Sequence, residues 1–204
     1  MFNRTIINDL KHWKEQKDRK PLMMLGARQV GKTSVLKRFG RECFEHCVYF
    51  SLDEEAGVCD IFRTTKNPTQ IIEQLSYLTD EPILPEKTLL VLDEIQDCPE
   101  AISSMKYFCE KTPEYAIACA GSLLGLAFGH EGFSFPVGKV DHINMYPVTF
   151  SEFLEQKDSG LYRYYKSIDS IEPLPQVFFD RLSQAFTAYR ISGGMPEAAM
   201  KMIE

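Results

Sequence analysis

The chain has 204 residues, 44% of them hydrophobic and 25% charged, with 23 basic against 29 acidic side chains and a formal net charge of −6. This composition supplies one sizeable α/β core, excludes a disordered or fibrous chain, and excludes a broadly cationic surface that would coat nucleic acid. Apolar runs such as Leu22–Leu25, Leu89–Leu92 and Tyr115–Ala120 fall well short of the roughly 20 residues that span a bilayer, so a cytoplasmic protein without a membrane partner is expected.

Phe2, Ile6, Ile7, Leu10 and Trp13 recur at a spacing of three to four and predict a packing helix from Phe2 to Trp13. The charged stretch 14–20 reads as solvated, and Pro21 resets the backbone before a first strand at Leu22–Leu25. A glycine-punctuated loop from Gly26 then leads into a helix over Lys32–Phe39, with Gly40 placed as its C-cap. Cys47–Leu52 predicts a second strand, and Thr69–Leu78 a helix after the Asn67-Pro68 turn. Thr88–Leu92 is almost wholly apolar, as a strand buried on both faces requires; Pro99–Lys111 predicts a helix and Tyr115–Ala120 the next strand. A fifth strand falls at His142–Tyr146, ended by Pro147. Such alternation predicts a three-layer α/β core with a mostly parallel five-stranded sheet.

Beyond Pro147 the texture is helical. Thr149 or Ser151 can cap a short helix through Phe153 and Leu154, and Val177–Tyr189 carries a longer helix. Gly193-Gly194 then breaks the chain, and Pro196 opens a helix still running at Glu204. The expected division is a core over 1–146 and a helical accessory or linker region over 147–204, the latter the start of something longer. The six cysteines are dispersed, which fits reduced thiols. Cys43, His46 and Cys47 lack the second ligand pair of a structural zinc site and read as residues at a helix end.

Gly26-Ala27-Arg28-Gln29-Val30-Gly31-Lys32-Thr33 matches GxxxxGK[ST] at every specified position, between a predicted strand and a predicted helix. In such a loop, backbone amides turn inward around phosphate oxygens and the helix N-terminus favours negative charge. Lys32 can reach the β- and γ-phosphates and the Thr33 hydroxyl can ligate magnesium; the expected cradle runs from Gly26 through Ser34. Four apolar residues, Leu89–Leu92, precede Asp93 and Glu94. Asp93 is the magnesium-side carboxylate, and Glu94, oriented differently, can position or activate the water that attacks the γ-phosphate. Asp53, Glu54 and Glu55 also follow a strand and read chiefly as a solvated acidic turn. Ser122 is a candidate sensor of γ-phosphate or attacking water, or simply a cap for a helix over Leu123–Phe128.

Together GARQVGKT, LLVLDEIQ, ACAGSLLG and YPVTFSEFL resemble an AAA-like P-loop ATPase family of bacteria and archaea whose members usually carry a separate, uncharacterised C-terminal domain. The resemblance implies a sheet in which the sensor strand separates the Asp93 strand from the phosphate-loop strand, with ATP and Mg²⁺ as ligands. It also implies phosphate and magnesium roles for Lys32 and Thr33, magnesium and catalytic-base roles for Asp93 and Glu94, and a sensor role for Ser122. Family members commonly have Ala-Gly-Arg before the fifth strand, whereas this chain has Val137-Gly138-Lys139, and lysine cannot reproduce a bidentate guanidinium contact. Arg28, inside the loop, is the first choice for an arginine beside the nucleotide.

The expected function is ATP binding and hydrolysis that switches an attached domain or protein partner. A nucleotide-dependent interaction module with little turnover is the alternative. A small-molecule kinase is less favoured, because Glu94 directly follows Asp93 and no acceptor site is identifiable. Nucleic acid gains no support from the net charge, since the basic 11–20 stretch is offset by Glu15 and Asp18.

Overall fold

The computed structural model describes residues 2–122 and 135–204. The chain forms two compact units, one of Ile6–Met145 and one of Met1–Thr5 with Tyr146–Glu204.

In the larger unit, strands β1 (Leu22–Gly26), β2 (His46–Ser51), β3 (Thr88–Asp93), β4 (Ala116–Gly121) and β5 (Asp141–Met145) form one sheet in the order β2-β3-β4-β1-β5. Every pairing in it is parallel. Strand β3 is buried at all six positions, as its unbroken apolar sequence requires when helices cover both faces. Helices α1 (Ile6–Glu15), α2 (Lys32–Cys43), α3 (Ala56–Thr64), α4 (Pro68–Ser76) and α5 (Pro99–Lys111) supply that cover. Alternate strand residues, among them Met23, Leu90, Leu92, Ile117 and Cys119, share a core with Phe62, Ile71 and Ile102 of α3, α4 and α5. On the other face α2 lies against the sheet, and Trp13 of α1 meets Phe39 of α2 with ring centroids 6.3 Å apart.

Several elements differ from the sequence expectation. Helix α1 begins at Ile6, and Phe2 instead joins Val148, Phe153 and Ala199 in the core of the smaller unit. Helix α2 runs three residues beyond Gly40, which is therefore an interior residue and not a C-cap. A Cβ on Gly40 would lie 2.2 Å from Cys47 Sγ, so close approach of α2 to β2 is the reason for glycine there. Helix α3 falls in a stretch the periodicity left unassigned, although Val58, Cys59, Ile61 and Phe62 mark its buried face. Cys43 ends α2, while His46 and Cys47 open β2.

The smaller unit contains α6 (Phe150–Lys157), α7 (Ser159–Lys166), α8 (Gln176–Ser192) and α9 (Pro196–Lys201). Thr149 caps α6 in a reciprocal capping box with Glu152. Helix α7, also unassigned from sequence, is capped by Asp158 and buries only Leu161. Gly194 has φ +73°, and a Cβ there would lie 2.6 Å from the Val148 carbonyl oxygen, while its own carbonyl accepts from Val148 N–H at 2.8 Å. The double glycine thus brings the end of α8 onto the segment before α6. The last helix ends at Lys201, short of the expected Glu204. Among the described residues no helix is long and apolar enough to cross a membrane.

Candidate functional site

The loop between β1 and α2 holds the GxxxxGK[ST] residues. Gly26 ends β1, and a Cβ there would lie 2.3 Å from the Met145 carbonyl oxygen, so this glycine is fixed by its approach to β5. Ala27, Arg28 and Gln29 are exposed, Val30 is buried, and Gln29 adopts φ 62°. Gly31 has φ +96° and precedes the first turn of α2, where a side chain would strain the backbone. Ser34 is exposed in that turn.

Lys32 is 6% exposed, and its ammonium donates to the carbonyls of Gly26 (3.0 Å) and Ala27 (2.9 Å). Burial lowers its pKa from the ordinary lysine value; Glu94 and Asp93 oppose the shift and Arg28 adds to it. Both acceptors are neutral carbonyls. The cation is thus held over the loop by neutral groups, an arrangement suited to anionic oxygens.

Asp93 closes β3 and is 3% exposed. Its Oδ2 accepts hydrogen bonds from the Thr33 hydroxyl and from the Tyr49 hydroxyl, the latter at 3.1 Å, and its Oδ1 accepts from the Glu94 N–H at 2.9 Å. Three neutral donors therefore hold one buried carboxylate. The hydroxyl of Thr33 and the carboxylate of Asp93, hard oxygen donors side by side, suit a Mg²⁺ ion.

Glu94 adopts the left-handed conformation, φ 48° and ψ 46°, uncommon for a residue with a Cβ. The kink turns the chain off the strand end into a short 3₁₀ turn over Ile95–Asp97, so Glu94 does not continue the alternation of β3. Its Oε2 accepts from Gln96 Nε2 at 2.6 Å. Ser122, just past β4, is 7% exposed, and its N–H donates to Gln96 Oε1 at 3.3 Å. The Leu123–Phe128 helix that Ser122 was expected to cap lies outside the described residues.

With β4 between β1 and β3, the strand ends bring Lys32, Thr33, Asp93, Glu94 and Ser122 to one end of the sheet. Residues 18–154, more than half of the chain, match the AAA domain family. The chain belongs to this family. No curated protein matches the sequence. Among solved structures, the chain is similar to C. elegans PCH-2, with TM-score 0.54 and 12% identity over 98% of this chain and 62% of that one. Drosophila ORC bound to DNA has TM-score 0.54 and 11% identity over 96% and 58% of the respective chains. The replication initiator DnaA bound to AMPPCP and single-stranded DNA has TM-score 0.53 and 16% identity over 98% and 60%. At these identities the likeness is one of fold, and the chain spans about three fifths of each of those proteins' lengths. The sheet order β2-β3-β4-β1-β5 and the family match are those of an AAA-like P-loop ATPase fold, as the resemblance implied.

Two residues of this AAA core were not singled out from sequence. Tyr49, on β2, reaches Asp93 because β2 pairs with β3 in the register Ser51↔Asp93, and Lys37 Nζ lies 3.4 Å from its ring centroid. Burial, opposed by a hydrogen bond with Ser51 and reinforced by Asp93, pushes the Tyr49 phenol up to about 12. Gln96 joins Glu94 to Ser122, a link that only the folded chain creates. Of the remaining candidates, Ser51 Oγ donates to Asp53 at 2.6 Å, Glu55 accepts from Ser51 N–H at 2.9 Å, and Lys139 pairs with Glu110 at 2.8 Å.

Proposed function

We propose that the chain binds ATP with Mg²⁺ and hydrolyses it to ADP and phosphate, using the cycle to switch the arrangement of an attached domain or a protein partner. The observation that carries this reading is the Thr33–Asp93 hydrogen bond beside the buried Lys32 ammonium. It joins a phosphate loop to an acidic strand end, which a glycine-rich turn with no nucleotide role would not require.

In this reading the loop amides over Gly26–Ser34 and Lys32 hold the phosphates, with Arg28 at the nucleotide's edge. Thr33 and Asp93 hold the magnesium ion, which when bound supplies charge neutralisation and Lewis-acid polarisation of phosphate oxygens. Glu94 accepts a proton from the attacking water and Ser122 contacts the γ-phosphate or that water. The unit of Ile6–Met145 is the chemical core, and the helical residues 147–204 are the accessory region through which the state is read, in the cytoplasm.

The test is magnesium-dependent phosphate release by the longest natural form of the protein. Lys32→Ala is expected to lose nucleotide binding and turnover together, and Glu94→Gln to bind ATP while hydrolysing it slowly. Equal turnover in wild type and both variants would overturn the site. A second reading, a nucleotide-dependent interaction module with little hydrolysis, is favoured by one observation: Lys139, standing where family members commonly carry arginine, is engaged with Glu110. ATP-dependent partner binding without phosphate release would decide for it.

A further inference from the structure

The side-chain amide of Gln96 lies between the two residues assigned to water activation and phosphate sensing. Its Nε2 donates to Glu94 Oε2 at 2.6 Å and to Asp97 Oδ2 at 3.0 Å, while its Oε1 accepts from the Ser122 N–H at 3.3 Å. The chemistry fixes which way the amide faces: two carboxylates can only accept, and a backbone N–H can only donate. A flipped amide would set its carbonyl against both carboxylates and its NH₂ against an N–H.

The surroundings leave room for this one side chain. A Cβ on Gly121 would stand 2.9 Å from Gln96 Oε1 and 3.0 Å from Ile95 Cγ2, so the glycine before Ser122 makes space for the amide. On the other side, the left-handed turn at Glu94 swings residues 95–97 back toward the end of β4. Without that turn Gln96 would follow the direction of β3. Gly121, the Glu94 kink and the Gln96 amide are thus three parts of one connection between the ends of β3 and β4.

We propose that Gln96 is a positioning residue that ties the orientation of the Glu94 carboxylate to the placement of Ser122. A displacement of Ser122 toward a phosphate oxygen changes the hydrogen bond to Gln96 Oε1, and because both bonds share one planar amide, the hold on Glu94 changes with it. The inference rests on the assignment of Glu94 and Ser122 under the proposed function. Gln96 itself touches neither nucleotide nor water in this scheme; it sets where the base carboxylate points.

The experiment compares wild type with Gln96→Ala, Gln96→Glu, Gly121→Ala and the Gln96→Ala/Gly121→Ala double variant in the longest natural form. Steady-state turnover, ATP affinity and amide hydrogen exchange at Ser122 are measured for each. Gln96→Ala is expected to lower kcat about tenfold, less than the roughly 10²–10⁴-fold loss of a general base, with KM and ATP affinity within about twofold of wild type. Its Ser122 amide loses an acceptor and exchanges faster. Gln96→Glu keeps an acceptor for Ser122 but sets a carboxylate against Glu94, so Ser122 stays protected while kcat falls as in Gln96→Ala. Gly121→Ala crowds the amide and lowers kcat, and the double variant is no slower than Gln96→Ala, because both changes break the same link.

An unchanged kcat in Gln96→Ala, or additive losses in the double variant, would overturn the inference while leaving the ATPase reading intact. Loss of hydrolysis in Lys32→Ala in the same series confirms that the turnover measured belongs to this site. Should wild type bind ATP without turnover, the hydrolysis reading fails, and Ser122 exchange still judges the bridge. Faster exchange in Gln96→Ala but not in Gln96→Glu supports it, and equal exchange in all variants refutes it.

Discussion

Glu152 lies in the segment YPVTFSEFL and is 3% exposed, with both carboxylate oxygens engaged. Its Oε1 accepts from the Thr5 N–H at 2.8 Å and the Thr5 hydroxyl at 2.9 Å; its Oε2 accepts from the Thr149 N–H at 2.9 Å and pairs with Arg4 Nε at 3.2 Å. Glu152→Ala leaves a buried guanidinium and two backbone N–H groups without this acceptor. Hydrogen bonds to a charged group contribute about 1.5–3 kcal/mol each, and removing one partner of a buried pair costs about 3–5 kcal/mol, so a loss of about 4 kcal/mol is expected. At about 2–4 °C per kcal/mol for a chain of this size, the unfolding transition should fall by about 10 °C, measured by circular dichroism during heating. Glu152→Gln keeps the Thr5 contacts, and its NH₂ meets Thr149 N–H and Arg4, so about half that loss is expected. Burial pushes the Glu152 carboxyl up, but the Thr149 and Thr5 amides and Arg4 outweigh it and hold the pKa below the usual glutamate value. A depressed folded pKa means stability that is present above the unfolded value, about 4.3, and is lost as pH falls through the folded one. Glu152→Gln should flatten that acid limb. A Glu152→Ala transition within about 2 °C of wild type would refute the reasoning.

Three further outcomes are expected. Tyr49→Phe removes a donor from the buried Asp93 carboxylate and should cost about 1–2 kcal/mol in denaturant unfolding. Because the Tyr49 phenol is pushed up to about 12, the folded chain holds that proton where the unfolded chain releases it. Wild-type stability should therefore fall as pH rises between about 10 and 12, and Tyr49→Phe should remove that component and the latest-ionising tyrosine signal in ultraviolet absorbance. Gly31→Ala has space for its methyl, 3.6 Å from Met145 Cε, but not the backbone freedom for φ +96°; strain of about 1–2 kcal/mol and weaker nucleotide affinity should appear together in unfolding and binding titrations. Gly194→Ala meets both a left-handed φ and the Val148 carbonyl at 2.6 Å, so it should cost more than Gly31→Ala, and an equal or smaller loss of melting temperature would count against the glycine argument.

What could be read from the chain follows physical range. Strands β1 and β3 and helix α5 were visible because their signals are local: unbroken apolar runs after a proline or before a carboxylate pair, and a Pro-started helix. The phosphate loop was visible because its chemistry demands particular residues at fixed spacing. Strand order came only through resemblance, since nothing in a strand's own sequence names its neighbours. Gly40 looks like a helix end in the sequence, but its reason is the Cys47 sulfur packed against it, not its own backbone conformation. Phe2 has the right spacing for α1 but packs with Val148 and Phe153, which lie far along the chain. Tyr49 and Gln96 escaped for the same cause: their partners are set by register and by a kinked strand end, and neither leaves a periodic trace.

The strand order also explains a feature of composition that carries no motif. Strand β4 stands between β1 and β3, so the hydroxyl of Thr33 at the start of α2 must reach Asp93 past an intervening strand. Ile117 and Cys119 of β4 belong to the core shared with α3, α4 and α5, which by alternation turns Ala116, Ala118 and Ala120 to the face where α2 lies. All three are methyl-sized and essentially fully buried. Larger side chains there would lift α2 off the sheet and carry Thr33 away from Asp93, since a packed interior accommodates added volume only by moving its elements. The sequence AIACAG therefore does for the site what no polar residue can: it keeps the inserted strand thin on one face, so that Thr33 of α2 and Asp93 of β3 meet over it.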